Sequence, residues 1–148
     1  SGPGPRVRLL VVDLYGNGLV LARAAGRVAG VEEVILLSDA GCPAYWGQGS
    51  VRYVPLRGLT IQAIVDVAMR HRVDVAFNAN SILGAAGLLE ALSAAGIRST
   101  GANRAFSETE IDKRSFKHWL AANGFPTPAV RWEGVHDELL VEADRLTY

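Results

Sequence analysis

An open, doubly wound α/β sheet is the fold this sequence predicts, and three observations predict it. Short β-branched runs alternate with longer stretches of helical period, the pattern of βαβ units. The first run, Val7 to Val12 (VRLLVV), is almost wholly apolar, as a parallel strand covered on both faces must be. Glycine-bearing turns fall between the runs and the helical stretches.

Taken in order, Ser1 to Pro5 (SGPGP) suits neither helix nor ladder and reads, with residue 6, as a disordered lead-in. After the first strand, Asp13 to Gly18 (DLYGNG) is a turn, and Leu19 to Val28 is an Ala- and Leu-rich helix. Val31 to Leu37 is the second strand; Ser38 to Ser50, with four glycines and prolines, is an irregular loop; Val51 to Pro55 is the third strand. Thr60 can cap a helix whose apolar stripe is Ile61, Ile64, Val65 and Ala68. Val73 to Phe77 is the fourth strand, Asn78 to Ser81 a polar turn with Ser81 as N-cap, and Leu83 to Ala95 a helix ended by Gly96 as C′ residue. Ile97 to Thr100 is the fifth strand. Asn103 or Ser107 opens a long helical region running to Asn123 and stopped by Gly124. Pro126 and Pro128 then mark a linker, Val130 to Trp132 could begin a new sheet, and His136 to Leu146 its first helix. Five βα units with right-handed crossovers place helices on both faces of an open parallel sheet.

Composition narrows the function. With 148 residues, 49% of them apolar, one domain with its own core is the natural expectation. Fifteen basic and fifteen acidic side chains cancel, so no basic field exists to hold nucleic acid or an anionic membrane. No run approaches the roughly twenty apolar residues of a membrane span, and no signal-peptide pattern opens the chain. The single cysteine, Cys42, excludes an internal disulfide and fits a reducing cytoplasm. It has neither a nearby His nor CxxC spacing, and His71, His118 and His136 form no metal-ligand pair.

In such a sheet ligands bind beyond the carboxyl ends of the strands, where the strand order reverses. The loops Asp13–Gly18, Ser38–Gly49 and Asn78–Ser81 belong there. Gly16-Asn17-Gly18, just before a helix, allows backbone N–H groups to approach an anion such as phosphate, though it serves equally as a tight turn. A dinucleotide fingerprint would want a glycine where Leu21 stands, so Asp39 reads as a turn aspartate rather than a ribose ligand. Asn78, Asn80 and Ser81 bring amides and a hydroxyl to the mouth of the sheet, where they either cap the next helix or meet a ligand.

The last third carries a family likeness. Thr100-Gly101-Ala102-Asn103 leads into Glu110-Ile111-Asp112-Lys113-Arg114-Ser115-Phe116-Lys117, then Leu120-Ala121-Ala122-Asn123-Gly124-Phe125-Pro126-Thr127-Pro128. A glycine turn, a helix bearing Asp-Lys and a Gly-Phe-Pro-Thr-Pro exit resemble the entrance to the ATP-grasp fold of D-alanine–D-alanine ligases, biotin carboxylases and glycinamide ribonucleotide synthetases. From Arg8 to Pro128 the chain is most similar to the pre-ATP-grasp part of glycinamide ribonucleotide synthetases, the phosphoribosylamine–glycine ligases. Two loops depart from that pattern. Tyr15 to Leu19 lacks the basic residues of the family's Gly-Gly-Arg-Glu-His loop, and Asn78 to Leu83 lacks the acid of its Gly-Pro-Glu-Ala-Pro-Leu loop. Both changes remove groups that would bind a phosphorylated amino-sugar, so another carboxylate and another amine are admitted as substrates.

The resemblance implies a domain from 7 to 124 with a linking helix, and from 125 to 148 a linker and an incomplete start of the ATP-grasp domain. It implies ATP and magnesium as cofactors, the magnesium ligands lying outside these residues. Lys113 then reaches the ATP phosphates and Lys117, one turn later, assists; without the resemblance both are ordinary solvated lysines. Gly16, Asn17, Gly18, Asn78, Asn80 and Ser81 are the implied substrate residues. The chemistry implied is attack of a carboxylate on the γ-phosphate, giving an acyl phosphate that an amine captures. No catalytic residue is expected within the chain, which is expected to be the front part of a longer biosynthetic ligase. A homodimer is compatible with all of this. The competing readings are a Rossmann-like nucleotide-binding module and a non-catalytic interaction domain.

Overall fold

The computed structural model describes residues 6–14, 18–39 and 49–128. Five parallel strands form one sheet: β1 (Val7–Asp13), β2 (Val31–Ser38), β3 (Val51–Pro55), β4 (Val75–Asn78) and β5 (Arg98–Gly101), in the order β3-β2-β1-β4-β5. The predicted doubly wound sheet is therefore the observed one. Alternation along β1 assigns its residues to two layers. Leu10 and Val12 pack with Ile35, Leu37 and Ala76 beneath Ile64, Val67 and Ala68 of α2 (Ile61–Arg70) and Leu88 and Leu92 of α4 (Leu88–Ala94). Val11 packs with Val34, Leu36 and Val51 against Ala22 of α1 (Gly18–Ala25) on the other face. Leu10 to Val12 and Val34 to Leu37 are wholly buried, which is why the central strands are written as unbroken apolar runs.

Most boundaries fall within two residues of expectation. Thr60 caps α2 as anticipated, its side chain accepting from Ala63 N–H at 3.2 Å. Gly96 closes α4 in the expected way: Ile97 N–H reaches Leu92 O and Gly96 N–H reaches Ser93 O, with Gly96 at φ 78°. Gly124 ends α6 (Lys113–Ala122) by the same device, through Phe125 N–H to Leu120 O.

Four expectations are corrected. The helix expected from Leu83 to Ala95 is two helices, α3 (Ser81–Ala85) and α4, because Gly87 takes φ 97° and no regular helix passes through it. The long region after Asn103 is α5 (Arg104–Ile111) and α6, separated at Asp112, whose ψ of 91° is extended. The N-cap of α3 is Asn80, not Ser81: Asn80 Oδ1 accepts from Leu83 N–H at 3.0 Å and Ser81 is the first helical residue. The fourth strand also starts two residues late, at Val75; just before it Asp74 N–H reaches Arg8 O at 2.9 Å while its carboxylate accepts from Arg8 N–H at 2.8 Å.

The chain divides into two compact units, Ser1–Asp112 and Lys113–Tyr148. The lead-in, Gly16 and Asn17, Cys42, Tyr45 and Trp46 in the long loop, and the strand and helix expected beyond residue 129 lie outside the described residues. Among the described residues no helix is long and apolar enough to cross a membrane.

Candidate functional site at the carboxyl rim of the sheet

The strand order reverses between β1 and β4, so the crevice of this fold opens beyond their carboxyl ends. Parallel register lines up what arrives there. Ser38 pairs with Asp13, Asn78 with Val12, and Gly101 with Asn78, so the strands end in one polar row. Asp13, Ser38 and Asn78 are each at most 1% exposed.

Burial obliges each of these groups to find partners, and the partners define the rim. Asp13 turns a carboxylate oxygen to Gly18 N–H at 2.7 Å, at the first residue of α1. That is a charge-assisted bond at a helix N-terminus, and it occupies one of the donors a phosphate would otherwise use. A Cβ on Gly18 would lie 2.9 Å from Asp13 Cβ and from Val11 Cγ1, so glycine is what lets helix and strand come this close. Asn78 clasps three segments. Its amide nitrogen donates to Asn80 O at 2.9 Å and Ala102 O at 3.0 Å, while its oxygen accepts from Asn80 N–H at 3.0 Å. Its backbone carbonyl accepts from Ala102 N–H at 3.3 Å. The spare hydrogen bonds expected at Asn78 are thus used to hold the rim itself.

On the far side of β4, α3 and α5 pack closely. A Cβ on Gly84 would stand 2.2 Å from Ser107 Oγ and 2.4 Å from Ala102 O. This small-against-small contact brings Glu110, one turn beyond Ser107, to the first turn of α3, where Ser81 Oγ donates to its carboxylate. Asn80, 5% exposed, spends its oxygen on Leu83 N–H. Asp39, the other acid at the rim, accepts from Gly58 N–H at 3.0 Å and so ties the loop before α2, as a turn aspartate does.

The structure therefore brings Gly18, Asn78, Asn80 and Ser81 to the carboxyl ends of β1 and β4. Lys113 and Lys117 lie on α6, in the second unit, four residues apart and so on one helix face. Lys113 is exposed, Lys117 half-buried, and no acid occupies the first turn of their helix. Behind them Phe116 stacks on Trp119 at 6.2 Å and Trp119 on Phe125 at 5.8 Å; the glycine turn at Gly124 returns Phe125 to the helix. Among the described residues no three His, Cys, Asp or Glu side chains gather to hold a metal ion. Asp13 and Glu110 were not singled out from sequence. The only signal for Asp13 is an acid at the end of a fully apolar strand, facing a glycine turn.

The fold and the polar rim define a doubly wound α/β domain with its crevice at a strand-order reversal. Comparison with solved structures sharpens that class. The chain matches the biotin carboxylase domain of a single-chain bacterial carboxylase with a TM-score of 0.63 at 19% identity, over 94% of this chain and 34% of that one. It matches Rhizobium etli pyruvate carboxylase with a TM-score of 0.62 at 17% identity, over 85% of this chain and 12% of that one. The shared feature is the fold, and the chain spans about a third or less of these larger molecules. No protein-family model matches the sequence, and no curated protein matches it.

Proposed function

We propose that this chain is the front part of an ATP-dependent carboxylate–amine ligase of ATP-grasp architecture. The likeness to a biotin carboxylase domain over 94% of the chain carries the reading. The sheet ends at Gly101, so a likeness of that extent continues through α5 and α6, the segment in which the ATP-grasp resemblance was found. Lys113 and Lys117 fit a triphosphate chemically: two ammonium groups on one face in the first turns of α6, with Asp112 immediately before them. The sheet's carboxyl rim, with Gly16, Asn17, Gly18, Asn78, Asn80 and Ser81, would position the substrates, Asn78 by shaping the rim. Magnesium ligands would come from beyond these residues. The nearer affinity we favour is to the phosphoribosylamine–glycine ligases, with the carboxylate and the amine changed. The loops around Gly18 and Asn80 lack the basic and acidic groups for a phosphorylated amino-sugar. A cytoplasmic location suits the proposal.

The test uses the intact protein with MgATP, a panel of carboxylic acids and hydroxylamine as the trapping amine. The reading expects ADP and a hydroxamate to form together with at least one acid. Lys113→Ala should weaken MgATP binding about tenfold, the loss of one charge-assisted contact to phosphate, and Lys117→Ala less. Unchanged MgATP affinity in Lys113→Ala removes the phosphate assignment. NADH binding without ADP formation would replace the ligase with a nucleotide-binding module.

A further inference from the structure

The helices on either side of β5 in sequence are held in opposite ways. α4 wholly buries Leu88 and Leu92. α5 buries one residue only, and that residue is Ser107. Its large apolar side chains face water instead: Phe106 is 62% exposed and Ile111 54%. Ser107 Oγ is wholly buried, and among the described residues it is the one buried side-chain polar atom without a hydrogen bond.

A helix of eight residues is not stable by itself in water, so α5 depends on its docking. That docking is a close contact at Gly84, which takes water from the Ser107 hydroxyl without replacing its hydrogen bond, and an exposed bond from Ser81 Oγ to Glu110. The first costs free energy, and the second returns little in water. Both ends of α5 are extended backbone, Asn103 with ψ 174° and Asp112 with ψ 91°. Just before Asn103 the chain is fastened, since Ala102 N–H and O both bond to Asn78.

We propose that α5 is a strap: it leaves α3 as a unit, pivoting after Ala102, while the sheet and the Asn78 clasp stay closed. Opening frees Ser81 at the carboxyl rim from Glu110 and bares the Gly84 face of α3. The inference goes beyond the ligase reading and does not rest on it, because it follows from how α5 is packed whatever the rim binds.

Hydrogen exchange of the ¹⁵N-labelled 148-residue chain, followed amide by amide without nucleotide, tests it. The amides from Ser107 to Asp112 should share one opening, about a hundredfold more frequent than that of Leu92 in α4 or Leu10 to Val12 in β1, and hardly altered by low urea. Ser107→Ala removes the unpaired hydroxyl and should slow exchange across α5 about tenfold, with α4 and β1 unchanged. A side chain that merely fills space would do the reverse on truncation. Glu110→Gln weakens the bond to Ser81 and should speed α5 about threefold. Exchange of α5 together with α4 and the sheet, in one global event, would overturn the proposal. So would unchanged or faster exchange of α5 in Ser107→Ala with an otherwise native spectrum.

Discussion

At the amino end of the sheet, Arg8 meets Glu32 at 3.1 Å and Arg52 meets Glu33 at 2.5 Å, with side chains between 18% and 59% exposed. These pairs line an open cleft of about 460 Å³ with Ser50 and Val51. At the carboxyl end, Asp13 and Asn78 are 1% exposed and every bond they make replaces one to water. Exposed ion pairs gain little and lose little when removed, whereas a buried polar group left without its partner costs the full desolvation penalty. One end of the sheet is thus decorated and the other is locked. A site that must hold a ligand in fixed geometry is better built at a locked end than at a decorated one.

The contrast can be broken most forcefully at Gly101. It takes φ 115°, and a Cβ there would lie 2.2 Å from Asn78 O. Strain and overlap each cost on the order of 1–3 kcal/mol, so Gly101→Ala should lose about 4 kcal/mol in urea denaturation. A loss below about 1 kcal/mol would mean that the ends of β4 and β5 can part, and the rim would not be rigid. Asn78→Ala comes next. It leaves Asn80 N–H, Asn80 O and Ala102 O without their side-chain partner, and should cost about 2–3 kcal/mol by the same measurement.

The amino end offers a change of opposite sign. Arg72 has φ 53°, the only non-glycine residue with positive φ among those described, and it closes α2 with its N–H on Met69 O while Val73 N–H reaches Ala68 O. That is a glycine's position in a helix-ending turn. Arg72→Gly should therefore stabilise the protein, by about 0.5–1 kcal/mol, with a matching rise in Tm. No change would show that the Arg72 side chain contributes packing that offsets its backbone strain.

The sheet was legible because its message is repeated: two central strands buried on both faces have to be apolar throughout, and the glycines at 96 and 124 stop helices by a local rule. The breaks at Gly87 and Asp112 were not legible. A glycine inside an Ala- and Leu-rich stretch costs only about 1 kcal/mol as helix, so sequence period alone does not separate one helix from two. The break itself is Gly87's φ of 97°, which glycine adopts freely. Arg104, paired to Glu90 at 3.6 Å, lies where a Cβ on Gly87 would be, its Nη2 2.5 Å from that point. The rim was half legible. Asn78, Asn80 and Ser81 announced themselves as polar groups after a buried strand, but whether Asn80 or Ser81 caps α3 depends on a single turn of backbone. Glu110 could not be linked to Ser81 at all, because the link runs through the Gly84–Ser107 contact between two helices.

The smallest effect is the one that tests the decorated end. Arg52→Gln removes the ion pair with Glu33, whose partners are 59% and 18% exposed. Such a pair recovers modest Coulomb energy in water and orders two long side chains to do so, so the loss should stay within about 0.5 kcal/mol. What loss there is should shrink in 1 M salt, where the screening length falls to about 3 Å. Titration gives an independent handle. The Glu32 carboxylate, bonded to Arg8, holds that guanidinium above its ordinary value. A raised folded pKa contributes stability that is complete below the unfolded value, so none of Arg8's share is lost as pH rises from about 5 to 9. A cost above about 1.5 kcal/mol for Arg52→Gln, surviving high salt, would show that the amino end is locked as well, and rigidity would no longer distinguish the two ends of the sheet.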